Sequence, residues 1–187
     1  MSVIYIIIGI AVILLIMMAA TYNSLVRLRN RVKNAWAQID VQLKRRHDLI
    51  PNLVETAKGY MTHERGTFEA VTKARNLAQK SVGTGVGAQS KAESELGSAL
   101  ARLLVVVENY PDLKANQNFL ALQEELTSTE NKIGFSRQYY NDSVLRYNNK
   151  TQMFPSNIVA GMMGFKSSEF FEVTGTEERE SPKVSFN

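Results

Sequence analysis

The stretch Asn23–Lys58, NSLVRLRNRVKNAWAQIDVQLKRRHDLIPNLVETAK, decides the fold. Leu25, Val32, Ile39, Arg46 and Leu53 recur on one line of it at seven-residue spacing. Leu28, Ala35, Gln42 and Leu49 form the line beside it, and Trp36, Leu43 and Ile50 widen the face. Apolar residues three and four apart, with the period held near 3.5, predict a helix that buries one side against other helices in coiled-coil fashion. Trp36 is expected to pack on the widened seam. Pro51 lacks the N–H that would bond the carbonyl of His47, so the spacing predicts a kink or break near Ile50.

Upstream of this stretch, Val3 to Ala20 carries no charge and is built from Ile, Leu, Val, Met and Ala with Tyr5 and Gly9. Eighteen residues rise roughly 27 Å as a helix, close to the roughly 30 Å hydrocarbon core of a bilayer. Tyr22 suits an interfacial aromatic anchor. A cleaved signal peptide fits poorly, because no charged segment leads the run and the run exceeds the usual ~7–15 residues. Residues 3–20 are therefore expected to span the bilayer. Arg27, Arg29, Arg31 and Lys33 follow it closely and are the candidate contacts to lipid headgroups. By the positive-inside bias they place the bundle in the cytoplasm and the short N-terminus outside.

Downstream, helical spacing resumes through Val54, Ala57, Met61, Phe68, Val71, Arg75 and Ala78 towards Val82, interrupted only by Gly59 and Gly66. Gly83, Gly85 and Gly87 then alternate with Thr84 and Val86, a pattern that predicts a loop between antiparallel helices. It is not a phosphate cradle, since no strand precedes it and no Lys-Ser or Lys-Thr pair follows. Ala88 to Asn109 reads as the next helix, with Leu103 to Val107 apolar nearly all round and so expected at the centre of the bundle. Pro111 ends it. Asn116 or Asn118 caps a last long helix to about Asn149, on which Phe119, Leu126, Ile133, Tyr140 and Tyr147 form a second heptad seam. Beside that seam lie Leu122, Thr129, Ser136 and Ser143. Their hydroxyls either bond their own preceding turn or form a polar layer with Gln42 or Arg46.

The fold class expected is all-α: an N-terminal transmembrane helix followed by an antiparallel, coiled-coil-like bundle of three to four long helices. Residues 1–22 form the anchor, 23–153 the bundle, and 154–187 an apolar then acidic extension. In the extension, Met162, Met163, Phe165, Phe170 and Phe171 are too apolar for a free tail. They are candidates for self-association; folding back on the bundle and lying in the membrane interface are the other readings.

Composition limits the chemistry. The chain has 187 residues, 44% of them hydrophobic, a net charge of +4 and no cysteine. Disulfides, thiolate nucleophiles and cysteine-held metals are thereby excluded. The charge runs from a basic start to an acidic end, which suits a membrane-proximal positive zone and not the broad basic face that nucleic acid needs. His47 and His63 are the only imidazoles. Neither has the partners of a metalloprotease helix or a di-metal bundle site, and both are expected as surface or capping residues. Lys44, Arg45 and Arg46 are expected to pair with Glu124, Glu125 or Glu130 across helices. No catalytic, cofactor-binding or metal-binding residue is identified.

Several of these runs carry a family likeness. Tyr22-Asn23-Ser24-Leu25-Val26, Asn34 to Arg46, Asp48-Leu49-Ile50-Pro51-Asn52-Leu53, Glu108 to Asn116, Leu126 to Asn131, Tyr140-Asn141 and Phe154-Pro155 together resemble the LemA family of bacterial membrane proteins. The likeness covers Tyr22 to Phe171. It implies a single N-terminal transmembrane helix, an outward-facing short N-terminus, a helical-bundle body and a place in the bacterial cytoplasmic (inner) membrane, and it supplies no catalytic or cofactor residue. The function expected is a non-enzymatic, membrane-anchored scaffold that forms a homo-oligomer. The alternative is a receptor or adaptor that takes an unknown protein or peptide partner in a bundle groove.

Overall fold

The computed structural model of the chain describes residues 2–172. Six helices follow in order: α1 Ser2–Lys58, α2 Arg65–Ser81, α3 Val86–Val107, α4 Pro111–Lys114, α5 Gln117–Gln152 and α6 Ser156–Met162. No strand occurs among the described residues, and the class is the all-α bundle expected. The chain divides into two compact units. Among the described residues, the first joins 2–40 to 134–170, and the second joins 41–133 to 171–172.

In the first unit, the early part of α1 is the one helix among the described residues long and apolar enough to cross a membrane, and none of its apolar window is buried. From Leu25 onward the heptad line turns inward: Leu25 and Ile39 are fully buried and Val32 nearly so. The second half of α5 meets it with Tyr140, Val144 and Tyr147, all buried. Trp36 packs edge-on against Tyr140 at 5.2 Å, as expected of a residue on the widened seam. Burial pushes the Tyr147 hydroxyl up while the nearby Arg29 guanidinium pulls it back. Seven residues down α1 thus match seven residues up α5, which is an antiparallel register.

α6 ends in a Schellman turn. The Phe165 N–H bonds the Ala160 carbonyl at 2.9 Å, and the Gly164 N–H bonds the Gly161 carbonyl at 3.4 Å. Gly164 takes φ +70, the left-handed conformation this cap requires and a side chain would resist. The turn sets the Phe165 ring edge-on to Tyr22 at 5.8 Å and under the Arg29 guanidinium at 5.1 Å. The chain then runs back along α5. Asn148 holds the Ser168 backbone through both its N–H (2.8 Å) and its carbonyl (2.9 Å), and the Tyr140 hydroxyl donates to the Glu169 carbonyl at 2.9 Å. Of the three readings of the extension, residues 165–169 follow the fold-back.

In the second unit, the end of α1, the hairpin α2–α3, α4 and the start of α5 enclose one core. Ile50, Leu53, Ala57, Val71, Leu96, Leu103, Leu113 and Phe119 are among its most buried members. Each of these side chains larger than alanine stabilises the fold by roughly 1.5–3 kcal/mol relative to exposure. Gly83 (φ +80) and Gly85 (φ +121) turn the chain between α2 and α3, as the alternating glycines predicted. Asn116 caps α5, its Oδ1 accepting from the Phe119 N–H at 3.0 Å.

Two expectations are corrected here. α1 does not break at Pro51 but continues to Lys58, because Ile50, Leu53 and Val54 keep the helix packed and a side chain serves the freed carbonyl: Arg75 Nε donates to the His47 oxygen at 3.2 Å. The run Leu103 to Val107 is not buried all round. Leu103 and Val107 face the core, while Val105 is 71% exposed, half a turn away. Of the two readings of the hydroxyls beside the α5 seam, Thr129 and Ser143 follow the first: they donate to their own preceding turns, to the Glu125 and Tyr139 carbonyls at 2.8 Å each.

Candidate functional site

Arg46 occupies a heptad position that elsewhere on α1 is apolar. It is 3% exposed in the second unit. A guanidinium buried without partners would cost several kcal/mol, so its surroundings must supply acceptors. Glu93 of α3, also 3% exposed, accepts from Arg46 Nη2 through Oε2. Glu130 of α5 accepts from Nη1 at 2.7 Å. His47 is buried beside them, and its Nε2 lies 2.8 Å from Glu93 Oε1. An ionised carboxylate only accepts, so that imidazole nitrogen carries the proton. With Arg75 on the His47 carbonyl, the layer ties together α1, α2, α3 and α5.

Burial alone would raise the Glu93 carboxyl. The His47 hydrogen bond and the Arg46 charge overcome it and hold the group below the usual carboxylate range. The layer is not fully satisfied: Arg46 Nε and Gln42 Oε1 are buried without a hydrogen-bond partner. A second pair, Arg45–Glu125, lies at the surface with side chains 49% and 38% exposed, where such a bridge contributes about 0–1 kcal/mol.

The expected pairing of the basic run with α5 carboxylates is found for Arg45 and Arg46. His47 is a correction, since it is neither a surface nor a capping residue. His63 is exposed. Sequence reasoning missed Glu93 as well. Gln89, Glu93, Leu96, Leu100, Leu103 and Val107 step by four and three along α3, so the heptad line carried the signal. Chemically, the layer holds a base, an acid and a cation, but each faces another, and the carboxylate is shut away from solvent. Among the described residues no group of three or more side chains could hold a metal ion.

A second feature is an open groove of about 920 Å³ along α2. Met61, Phe68 and Leu77 supply its apolar lining, and Lys58, Arg65, Lys73 and Lys80 oppose one carboxylate, Glu69, around it. Arg65 is partly engaged with Glu69 at 2.7 Å. Near the membrane span, Arg27, Arg29, Arg31 and Lys33 are all exposed, with Arg29 engaged by Phe165. Of the five extension residues, Phe171 is buried and Phe165 half-buried within the chain, while Met162, Met163 and Phe170 are exposed.

The signature described as the LemA family matches residues 35–186. Among similar proteins are magnetosome protein MamQ 2 and magnetosome protein MamQ 1 of Paramagnetospirillum magneticum, each 25% identical over 175 residues. Those matches cover 81% of this chain and 64% of either relative. Protein LemA of Metamycoplasma hominis is 26% identical over 155 residues, covering 83% of this chain and 70% of that protein.

Proposed function

Since the chain belongs to the LemA family and is a membrane-associated helical protein, we propose that it is a non-catalytic, membrane-anchored scaffold whose copies associate side by side. The observation that carries this reading is how its charges and apolar groups are distributed. The groups best suited to acid–base work, His47 and Glu93, are engaged with each other and with Arg46 inside the second unit. Meanwhile Phe135 is 73% exposed and Tyr139, one turn on along α5, 46%. Large aromatic side chains left in water mark an association surface. The cytoplasmic placement of the bundle belongs to the same proposal and is supported by Arg27, Arg29, Arg31 and Lys33 after the apolar span.

Light scattering of the full chain in a mild detergent tests association. A particle containing several 21.0 kDa copies is expected. Phe135→Lys with Tyr139→Lys should reduce the copy number while leaving helicity unchanged; a folded monomer in the unsubstituted protein contradicts the reading.

The α2 groove favours a second reading, an adaptor for an acidic amphipathic helix. Its cations outnumber its carboxylates around an apolar lining, the complement of such a partner. A glutamate-rich amphipathic peptide should then bind with an affinity that falls on Lys73→Glu/Lys80→Glu. No binding, or binding indifferent to those changes, rules the adaptor out.

A further inference from the structure

α6 and its flanks carry a patch that the fold leaves uncovered. Met153 is 63% exposed, Phe154 80%, Ile158 54%, Met162 68% and Met163 47%. The opposite side of α6 is the packed one, with Ser156 and Ala160 4% and 2% exposed. These residues belong to the first unit, and that unit fixes their level along α1. Trp36 meets Tyr140 and Arg29 lies beside Tyr147, so the antiparallel register carries the end of α5 at Gln152 towards the level of Leu25 on α1. The Phe165 ring, three residues past α6, touches Tyr22 itself. Tyr22 follows the last residue of the uncharged run by two positions. The exposed apolar patch therefore sits where the apolar span ends.

We propose that α6 with its flanks is a second membrane contact, a foot that lowers Phe154, Ile158, Met162 and Met163 into the headgroup–acyl boundary beside the exit of α1. Interfacial elements bury their apolar face about 5–10 Å into that boundary. Continuity with the span is what selects lipid as the occupant over a second copy of the chain. The flanking charge agrees: Lys166, three residues past Met163, and Arg27, five past Tyr22, are both exposed and suit anionic headgroups. The Schellman turn at Gly164 gives the foot a rigid seat, because it holds Phe165 against Tyr22 and Arg29 while the exposed side chains point elsewhere. Met162 and Met163, expected to join protomers, are assigned to the bilayer instead.

This inference rests on the membrane anchoring, and the experiment separates the two. The natural chain has no cysteine, so single-cysteine variants label at one site. The full chain carrying a nitroxide at Met162→Cys or Phe154→Cys is reconstituted in phosphatidylcholine–phosphatidylglycerol vesicles. Leu14→Cys reports the span, and Val105→Cys a water-facing site. Collision with a water-soluble nickel chelate should be severalfold lower at 162 and 154 than at 105, with oxygen collision raised towards the value at 14. Nickel access at 162 and 154 equal to that at 105, with 14 protected, overturns the foot and spares the anchor. Protection from both reagents, with spin–spin broadening between copies, overturns it in favour of a protomer contact. Nickel access at 14 overturns anchor and foot together.

Discussion

At Arg46 and Glu93 the sequence carried a readable anomaly, a charge on a line of buried apolar residues, and only half of its resolution. Glu125 and Glu130 could be named because complementary charges on long helices are natural partners. Glu93 could not be paired in advance because nothing local to α3 fixes which side of α1 it meets. Its role makes a direct prediction. Glu93→Gln leaves Arg46 short of a buried counter-charge and should destabilise the fold by about 3–5 kcal/mol in chemical unfolding. Arg46→Met with Glu93→Leu, which removes both charges, should recover most of that loss. The pH dependence has a definite sign. The Glu93 pKa is lowered in the folded state from its ordinary 4.5, so its stabilisation is complete above that value and is lost as pH falls through the lowered one. Stability of the unsubstituted chain should therefore drop more steeply below pH 4.5 than that of Glu93→Gln. Equal slopes would remove Glu93 from the account.

Among the elements, helix α1 shows where reading by local rules runs out. Proline at position 51 predicts an interruption, yet Arg75, distant in sequence and placed by α2, bonds the carbonyl that the proline leaves free. The heptad lines on α1 and α5, by contrast, were fully legible, because burial there depends on period alone. Arg75→Ala should cost about 1 kcal/mol. In a Pro51→Ala background, where residue 51 regains an N–H for the same carbonyl, the cost should shrink; an undiminished loss in this double-mutant cycle would show that the bond carries no weight. In the α2–α3 turn, Gly85 at φ +121 and ψ 155 occupies backbone space that other residues enter only under strain. Gly85→Ala should lower stability by about 1–3 kcal/mol in thermal unfolding, whereas Gly97→Ala inside α3, where an added Cβ meets open space, should raise it by about 0.5–1 kcal/mol.

For the whole molecule, the composition spoke most clearly about the anchor and least about partners. An uncharged run of bilayer length needs no tertiary information to be read, and the structure leaves it wholly unburied, as a lipid-facing helix must be. The function of the body was not legible, because its buried charges, Arg46 and Glu93, pair with each other, and the groove on α2 comes from helix placement that no local pattern encodes. The proposed scaffold, groove and foot all take the chain to be held in a bilayer by residues 3–20, and the proposed topology puts its bundle on the cytoplasmic side. Cysteine accessibility in intact cells measures that directly: an impermeant maleimide should label Ser2→Cys without permeabilisation and Val105→Cys only after it. Labelling of Val105→Cys in intact cells, or release of the full chain into the soluble fraction by alkaline carbonate, would contradict the account.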